Sequence, residues 1–107
     1  MPKFILDLRW TPNGLANVPN GHFFDIRTEA IDFATRHGLT IIQITDRIRP
    51  TPIGPIWIVE GDESSVKDVV LRFNAFGNVT AQYFDYITDK AELDRITHDL
   101  FVERPRP

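Results

Sequence analysis

The sequence predicts an α+β fold with a four-stranded antiparallel sheet, two helices on one face and an extra helix at the C-terminal end. Apolar residues alternate between the two-residue spacing of strands and the wider spacing of helices, in the order strand, helix, strand, strand, helix, strand. The run at residues 54–59 is apolar on both sides, which is typical of a central strand. Right-handed crossovers built from this order place both main helices on one face of the sheet.

Composition predicts one soluble domain over residues 1–107, with a core at 3–87 and a C-terminal helix at about 89–102. The chain is 42% hydrophobic and 25% charged, which is too apolar for disorder and too interrupted for a membrane span. A net charge of −3 disfavours a nucleic-acid partner. The absence of cysteine excludes disulfides and a thiol nucleophile, and no secretion signal is evident, so we expect a cytoplasmic protein.

The first half of the chain predicts a strand, a loop and a helix. Residues 3–10 alternate as a strand, with Phe4, Leu6, Leu8 and Trp10 on one face. Residues 11–21 are rich in Pro, Asn and Gly and predict a long loop. Residues 23–37 have helical spacing, and Gly38 stands where a C-terminal cap is expected.

The second strand is predicted over residues 39–45. Strict alternation would put Thr40, Ile42 and Ile44 on one side, and Ile41, Gln43 and Thr45 on the other. Gln43 and Thr45 could then lie across from Asp7 and Arg9 on the open side of the sheet. A connection stiffened by prolines follows at residues 46–54.

The second half predicts a third strand, a helix, a fourth strand and a last helix. Asp62 is placed to cap the helix that follows the third strand, and Gly77 ends it. Residues 79–87 are rich in aromatic and β-branched side chains, as strands are. Thr88 or Asp89 could cap the last helix, whose narrow apolar stripe consists of Leu93, Ile96 and Leu100.

The third strand predicts self-association. In this topology the first and third strands are central and the helices cover one face of the sheet. A monomer would therefore expose either the side of Trp57 and Val59 or the side of Ile56 and Ile58. We expect a homodimer through this open sheet face, with Trp57 at the interface.

The chain resembles the dimeric α/β barrel proteins, a ferredoxin-like superfamily. The likeness lies in the topology over residues 3–87, in the apolar third strand that runs into Val59-Glu60-Gly61-Asp62 and a helix, and in the aromatic fourth strand at 82–86. The resemblance implies pairing sheet to sheet, and a small, largely apolar or aromatic ligand held between sheet and helices. It also implies chemistry like that of muconolactone isomerase-like or monooxygenase-like members, which would need no cofactor.

The N-terminus is similar to the opening of the tautomerase superfamily. In that family, removal of the methionine leaves a proline on the first strand as the catalytic base, and Met1-Pro2 could supply it. The first helix is shorter than in that family, and the usual sequence after the first strand is missing.

For an enzyme, the candidates for proton transfer are His22 and Asp7. Arg9 and Tyr83 could orient a substrate, since arginine offers a fork of donors and tyrosine a hydroxyl. The further candidates for substrate binding are Trp57 and Arg47. The three histidines share no metal-ligand spacing, so we expect no metal site.

Two alternatives to an enzyme stay open. The same polar residues could belong to the interface of a non-catalytic regulatory or structural dimerisation module. The topology also serves RNA-recognition domains, but the third strand lacks their basic and aromatic series. An enzyme requires a histidine or carboxylate that converges with Arg or Tyr on one enclosed pocket, whereas a module does not.

Overall fold

The computed structural model describes residues 1–17 and 23–102. Its sheet has four strands in the order β2-β3-β1-β4, and every neighbouring pair is antiparallel. This confirms the predicted α+β architecture of ferredoxin-like type, with the first and third strands in the centre. The elements in chain order are β1 (Lys3–Trp10), α1 (Pro12–Asn17), α2 (Phe23–Arg36), β2 (Thr40–Thr45), β3 (Ile56–Glu60), α3 (Glu63–Phe76), β4 (Val79–Asp85) and α4 (Lys90–Val102).

The core lies between one face of the sheet and helices α2 and α3. Alternate residues of β1 are buried on this face, as predicted. Ala34 of α2 and three residues of α3 close the core from the helical side. The buried residues are Phe4, Leu6, Leu8, Ala34, Leu39, Trp57, Val59, Val66, Val69, Phe73 and Ala81.

Trp57 belongs to this core, so the expectation that it lies at the open-face interface is wrong. It pairs with Leu6 across the β1–β3 ladder, and residues directly opposite each other share a face. Its side chain is 1% exposed and packs edge-on against Phe73 with ring centroids 5.5 Å apart. The open side of β3 is therefore the side of Ile56 and Ile58.

The predicted loop at 11–21 begins instead with the short helix α1. Pro12 stands at its first position, where the missing N–H costs nothing and the fixed φ suits a helix. The Thr11 hydroxyl accepts a hydrogen bond from the Gly14 N–H at 3.1 Å, which caps the first turn. The rest of that predicted loop falls largely outside the described residues.

Strict alternation in β2 is also wrong. The β2–β3 register shifts between Ile41 and Gln43. Ile41 and Ile44 pair with Val59 and Trp57 and pack against the core. A bulge inserts one extra residue and reverses the alternation beyond it, so Gln43 and Thr45 lie on the open face.

The predicted helix ends are confirmed. Gly38 after α2 and Gly77 after α3 have φ of +91° and +81°, the left-handed conformation that glycine adopts most easily. Asp62 is the N-cap residue of α3, although its side chain makes no capping hydrogen bond.

Candidate functional site

The open face of the sheet carries a row of apolar side chains across three strands. Ile5 of β1 stands between Ile58 of β3 and Phe84 of β4 in the strand register. Ile56 lies one row further along β3, opposite Asp7. The three isoleucines are half-buried and Phe84 is 49% exposed. This face therefore has an apolar centre that strands alone form.

Among the described residues, no helix packs on this row of side chains. Helices α2 and α3 pack against the opposite face, and α1 adjoins the end of β1. The last helix, α4, makes no substantial contact with any other helix or strand in the described chain.

A cluster of two arginines and a carboxylate lies at one end of the apolar row. Arg47 donates from one terminal nitrogen to the Asp7 carboxylate at 2.6 Å and to the Leu8 carbonyl at 3.1 Å. Its Nε donates to the Gly54 carbonyl at 2.8 Å. Arg9 lies on the other side of Asp7, with its Nε 3.5 Å from the second carboxylate oxygen.

These contacts divide the cluster into a structural part and an accessible part. Arg47 is engaged with three acceptors of β1 and of the connection before β3, so it fastens that connection to the sheet. Asp7 is 18% exposed and pairs with both arginines. The side chain of Arg9 is 61% exposed, which leaves it accessible to an anion or to an acidic partner residue.

The predicted site residues do not meet at one place. Asp7, Arg9 and Arg47 belong to the open face and its rim, whereas Trp57 and Tyr83 stand on the core face of the same sheet. Tyr83 packs edge-on against Phe4 with centroids 5.9 Å apart. The sheet itself separates the two groups. His22 lies outside the described residues.

Sequence reasoning missed Asn74 of α3. Its amide nitrogen donates to the carbonyl of Ala81 at 3.0 Å, and its oxygen accepts from the N–H of Ala81 at 2.9 Å. The same nitrogen also reaches the Val70 carbonyl at 3.0 Å. The side chain thus acts as a strand partner for the outer edge of β4. An asparagine inside a helix, where its propensity is low, was the available signal.

A concave surface lies on the helical side, at α2 and the turn between α3 and β4. The cavity has a volume of about 430 Å³. Phe33 and Phe76, whose ring centroids are 5.8 Å apart, supply apolar wall. Its complete lining is Ile26, Glu29, Ala30, Asp32, Phe33, Arg36, Phe76 and Asn78.

The charges on this wall are acidic on balance. Arg36 is paired with Asp32 at 3.0 Å, which leaves Glu29 as the unbalanced charge of the lining. On the neighbouring helix, a hydrogen bond to Glu63 raises the pKa of Lys67, and the electrostatic interactions with Tyr83 and Glu63 act in the same direction. That pair lies on the exposed surface of α3 and belongs neither to this cavity nor to the open sheet face.

Three further observations bound the site. Within residues 1–17 and 23–102, no group of three or more His, Asp or Glu side chains could hold a metal ion. No helix in the described part of the chain is long and apolar enough to cross a membrane. Neither a scan against protein-family models nor a search of curated proteins finds a match to this chain.

Proposed function

We propose that this chain is a non-catalytic homodimerisation module that pairs through the open face of its sheet. The observation that carries the proposal is the uncovered apolar row of Ile5, Ile58 and Phe84, with Ile56 beside it. Monomeric soluble proteins rarely expose a large contiguous apolar patch unless it is an interaction site. The pairing agrees with the one that the resemblance to dimeric α/β barrel proteins implies.

The layout of the face supports a protein partner. Stable interfaces have an apolar centre and a polar rim. The row supplies the centre, and Lys3, Arg9 and Glu60 stand towards the ends of the strands that carry it. A twofold dimer presents the same patch on both subunits, so cations and carboxylates at one rim can meet their opposites on the other.

The distribution of polar groups favours a module over an enzyme. A general base must come within hydrogen-bonding reach of a substrate proton in a pocket. Asp7 is held by two arginines on the rim, and the space between the sheet and helices α2 and α3 is filled by core side chains. Asp7 and Arg9 therefore serve best as rim residues of an interface.

The test compares variants on the two sides of the sheet. Ile58→Glu and Phe84→Glu each place a charge in the apolar row, and burying an unpaired carboxylate against a partner costs several kcal/mol. We expect both variants to sediment as monomers at concentrations where the unmodified chain is a dimer. Leu71→Glu is the matched control, since Leu71 is 69% exposed on α3, and it should remain a dimer.

Circular dichroism at the same concentrations shows whether each variant is folded, so that loss of the dimer is not confused with unfolding. The Phe84→Glu variant matters most here, because Phe84 lies on an edge strand and is half exposed in the single chain. A folded Phe84→Glu variant that still forms dimers would contradict pairing through this face.

A second candidate function is binding of a small aromatic molecule, and the cavity lined by Phe33 and Phe76 favours it. Its volume of about 430 Å³ falls within the range of small-molecule sites. Glu29 on the wall would select a cation or a neutral molecule over an anion. This ligand site would be independent of the dimer interface on the other face.

A pair of naphthalene probes tests this candidate. We expect a naphthylalkylamine to bind more tightly than a naphthalene sulfonate, as followed by fluorescence titration. Phe76→Gln should weaken amine binding by about tenfold, the effect of losing roughly 1.4 kcal/mol of apolar contact. Phe84→Gln, a matched change on the sheet face, should leave it unchanged. If both probes bind equally well, or if Phe84→Gln weakens amine binding and Phe76→Gln does not, the cavity is not the binding site.

A further inference from the structure

Helix α4 stands away from the body of the chain. It follows the edge strand β4 and makes no substantial contact with another element of the described residues. The radius of gyration is 15.8 Å and the longest dimension 51 Å, whereas a compact chain of this length has a radius of gyration of about 13 Å. The extended shape agrees with a helix that packs on little of its own chain.

An isolated helix of this length needs a partner. Helices of about 13 residues are marginally stable in water on their own. The ion pairs Lys90–Asp94 at 2.9 Å and Arg95–Asp99 at 3.6 Å lie on its exposed surface, and each such pair contributes only about 0.3–0.5 kcal/mol. Leu93 is 50% exposed, and Ile96, three residues later on the same side, is half-buried. The helix thus has an apolar side that the described residues cover only in part.

We propose that α4 of one copy packs its Leu93 and Ile96 side on the open sheet face of a second copy, and the reverse. The inference rests on the proposed dimerisation through that face, and it names the segment that completes the interface. The described residues carry two apolar surfaces that they leave partly uncovered, a sheet face and a helix side, and a reciprocal exchange buries both.

The dimensions of the two surfaces support this exchange. The sheet face is roughly 19 Å across and roughly 17 Å along the strands, which in projection gives well under the ~800 Å² that each partner usually buries. A helix of 13 residues is about 20 Å long and about 10 Å wide. It can therefore lie along one part of the face, beside the partner's sheet, and it supplies area that the sheets alone lack.

Charge supports the same arrangement. The described part of α4 carries Glu92, Asp94 and Asp99, against Lys90 and Arg95. The open face has Arg9 at one end, with its side chain 61% exposed, and Lys3 at the other. With three acids against two bases, the helix has a net charge of −1, and Arg9, largely exposed beside Asp7, is the cation at the margin of the face that it can meet.

The start of α4 is already fixed by bonds within its own chain. Tyr86 donates its N–H to the Lys3 carbonyl at 3.0 Å, which extends β4 just beyond its last paired residue. Asp89 then caps the helix by accepting the N–H of Ala91 at 2.9 Å. The link between strand and helix is therefore short and formed, and docking on a second copy needs no rearrangement of it.

Cross-linking between two single-cysteine variants tests the inference, because the chain has no cysteine of its own. Thr97→Cys lies one turn after Leu93 on α4, and Gln82→Cys lies beside Phe84 on the open face; both positions are exposed. When differently tagged chains are mixed and treated with a short bis-maleimide, we expect a covalent heterodimer. Asp68→Cys on α3 replaces Thr97→Cys as the control and should give none.

The dimer affinity gives the second readout. The Leu93→Glu/Ile96→Glu variant should raise the dimer dissociation constant at least about tenfold, whereas Lys90→Ala should leave it within about twofold. If the cysteine variants form dimers that do not cross-link, or if Leu93→Glu/Ile96→Glu leaves the dimer dissociation constant unchanged, α4 has no role in the interface. Pairing through the sheet would then still stand. A monomeric unmodified chain would overturn both. A third chain carries both Gln82→Cys and Thr97→Cys. If its two cysteines cross-link within one chain and the single-cysteine variants do not cross-link between chains, α4 lies on its own sheet and the exchange is overturned.

Discussion

At the scale of single residues, two side chains hold the sheet together by bonding to backbone. Asn74 pairs with both backbone groups of Ala81 on the outer edge of β4, and Arg47 joins the connection before β3 to β1. Each replaces ladder hydrogen bonds that no neighbouring strand supplies. Neither residue needs a ligand to explain its position.

We expect Asn74→Ala to lower the free energy of unfolding by about 1–2 kcal/mol, because it removes the bonds to Ala81 while water can partly replace them at the edge. Arg72→Ala, an exposed change on the same helix, should stay within about 0.5 kcal/mol. Urea denaturation measures both. If both variants lower the free energy of unfolding equally, the hydrogen bonds between Asn74 and Ala81 contribute nothing to stability.

Arg47→Lys keeps the charge beside Asp7 but loses the fork that reaches three acceptors at once. We expect a loss of about 1–2 kcal/mol in the same assay. Arg49→Lys, an exposed change in the same connection, is the control and should have little effect. If Arg47→Lys is as stable as the unmodified chain, Arg47 does not fasten the connection, and a role in ligand binding becomes the better explanation.

At the scale of elements, the β2 bulge determines which residues of β2 face the open side, and the close approach of Gly54 to β1 constrains how the chain enters β3. The bulge turns Gln43 and Thr45 onto that face. Gly54 has φ of +130°, and a Cβ there would come within 2.1 Å of the Leu8 carbonyl oxygen. The chain can therefore enter β3 at this point only as glycine.

Gly54→Ala should cost at least about 2 kcal/mol of stability, since it adds a clash with backbone to an unfavourable φ. Gly77→Ala is the matched comparison, because its φ of +81° is equally left-handed but nothing lies within 4 Å of the added methyl group. It should cost about 1 kcal/mol. If thermal and urea unfolding show the same loss of stability for both variants, the close contact with Leu8 does not contribute to the cost of Gly54→Ala.

At the scale of the whole molecule, the order of elements could be predicted because each has its own periodicity and each main helix ends at a glycine. The face of Trp57 could not be predicted. Alternation identifies a buried face only where two faces differ in polarity, and β3 is apolar on both. The pairing of Leu6 with Trp57 decides it, and that register is a property of the assembled sheet.

The candidate site was less predictable than the fold, because its contacts also depend on the assembled sheet. Asp7 and Arg9 share a strand, so their common face followed from alternation. Arg47 is 40 residues away from Asp7 in the chain, and their contact depends on the path of the connection before β3. The separation of Tyr83 from this cluster likewise needed the sheet.

The central claim is that the open face of the sheet pairs two copies of this chain. Sedimentation equilibrium of the unmodified protein over a range of micromolar concentrations measures it most directly. We expect a mass close to twice the 12.3 kDa of one chain, with dissociation into folded monomers when Phe84 is replaced by Glu. A mass of one chain at every concentration would contradict it.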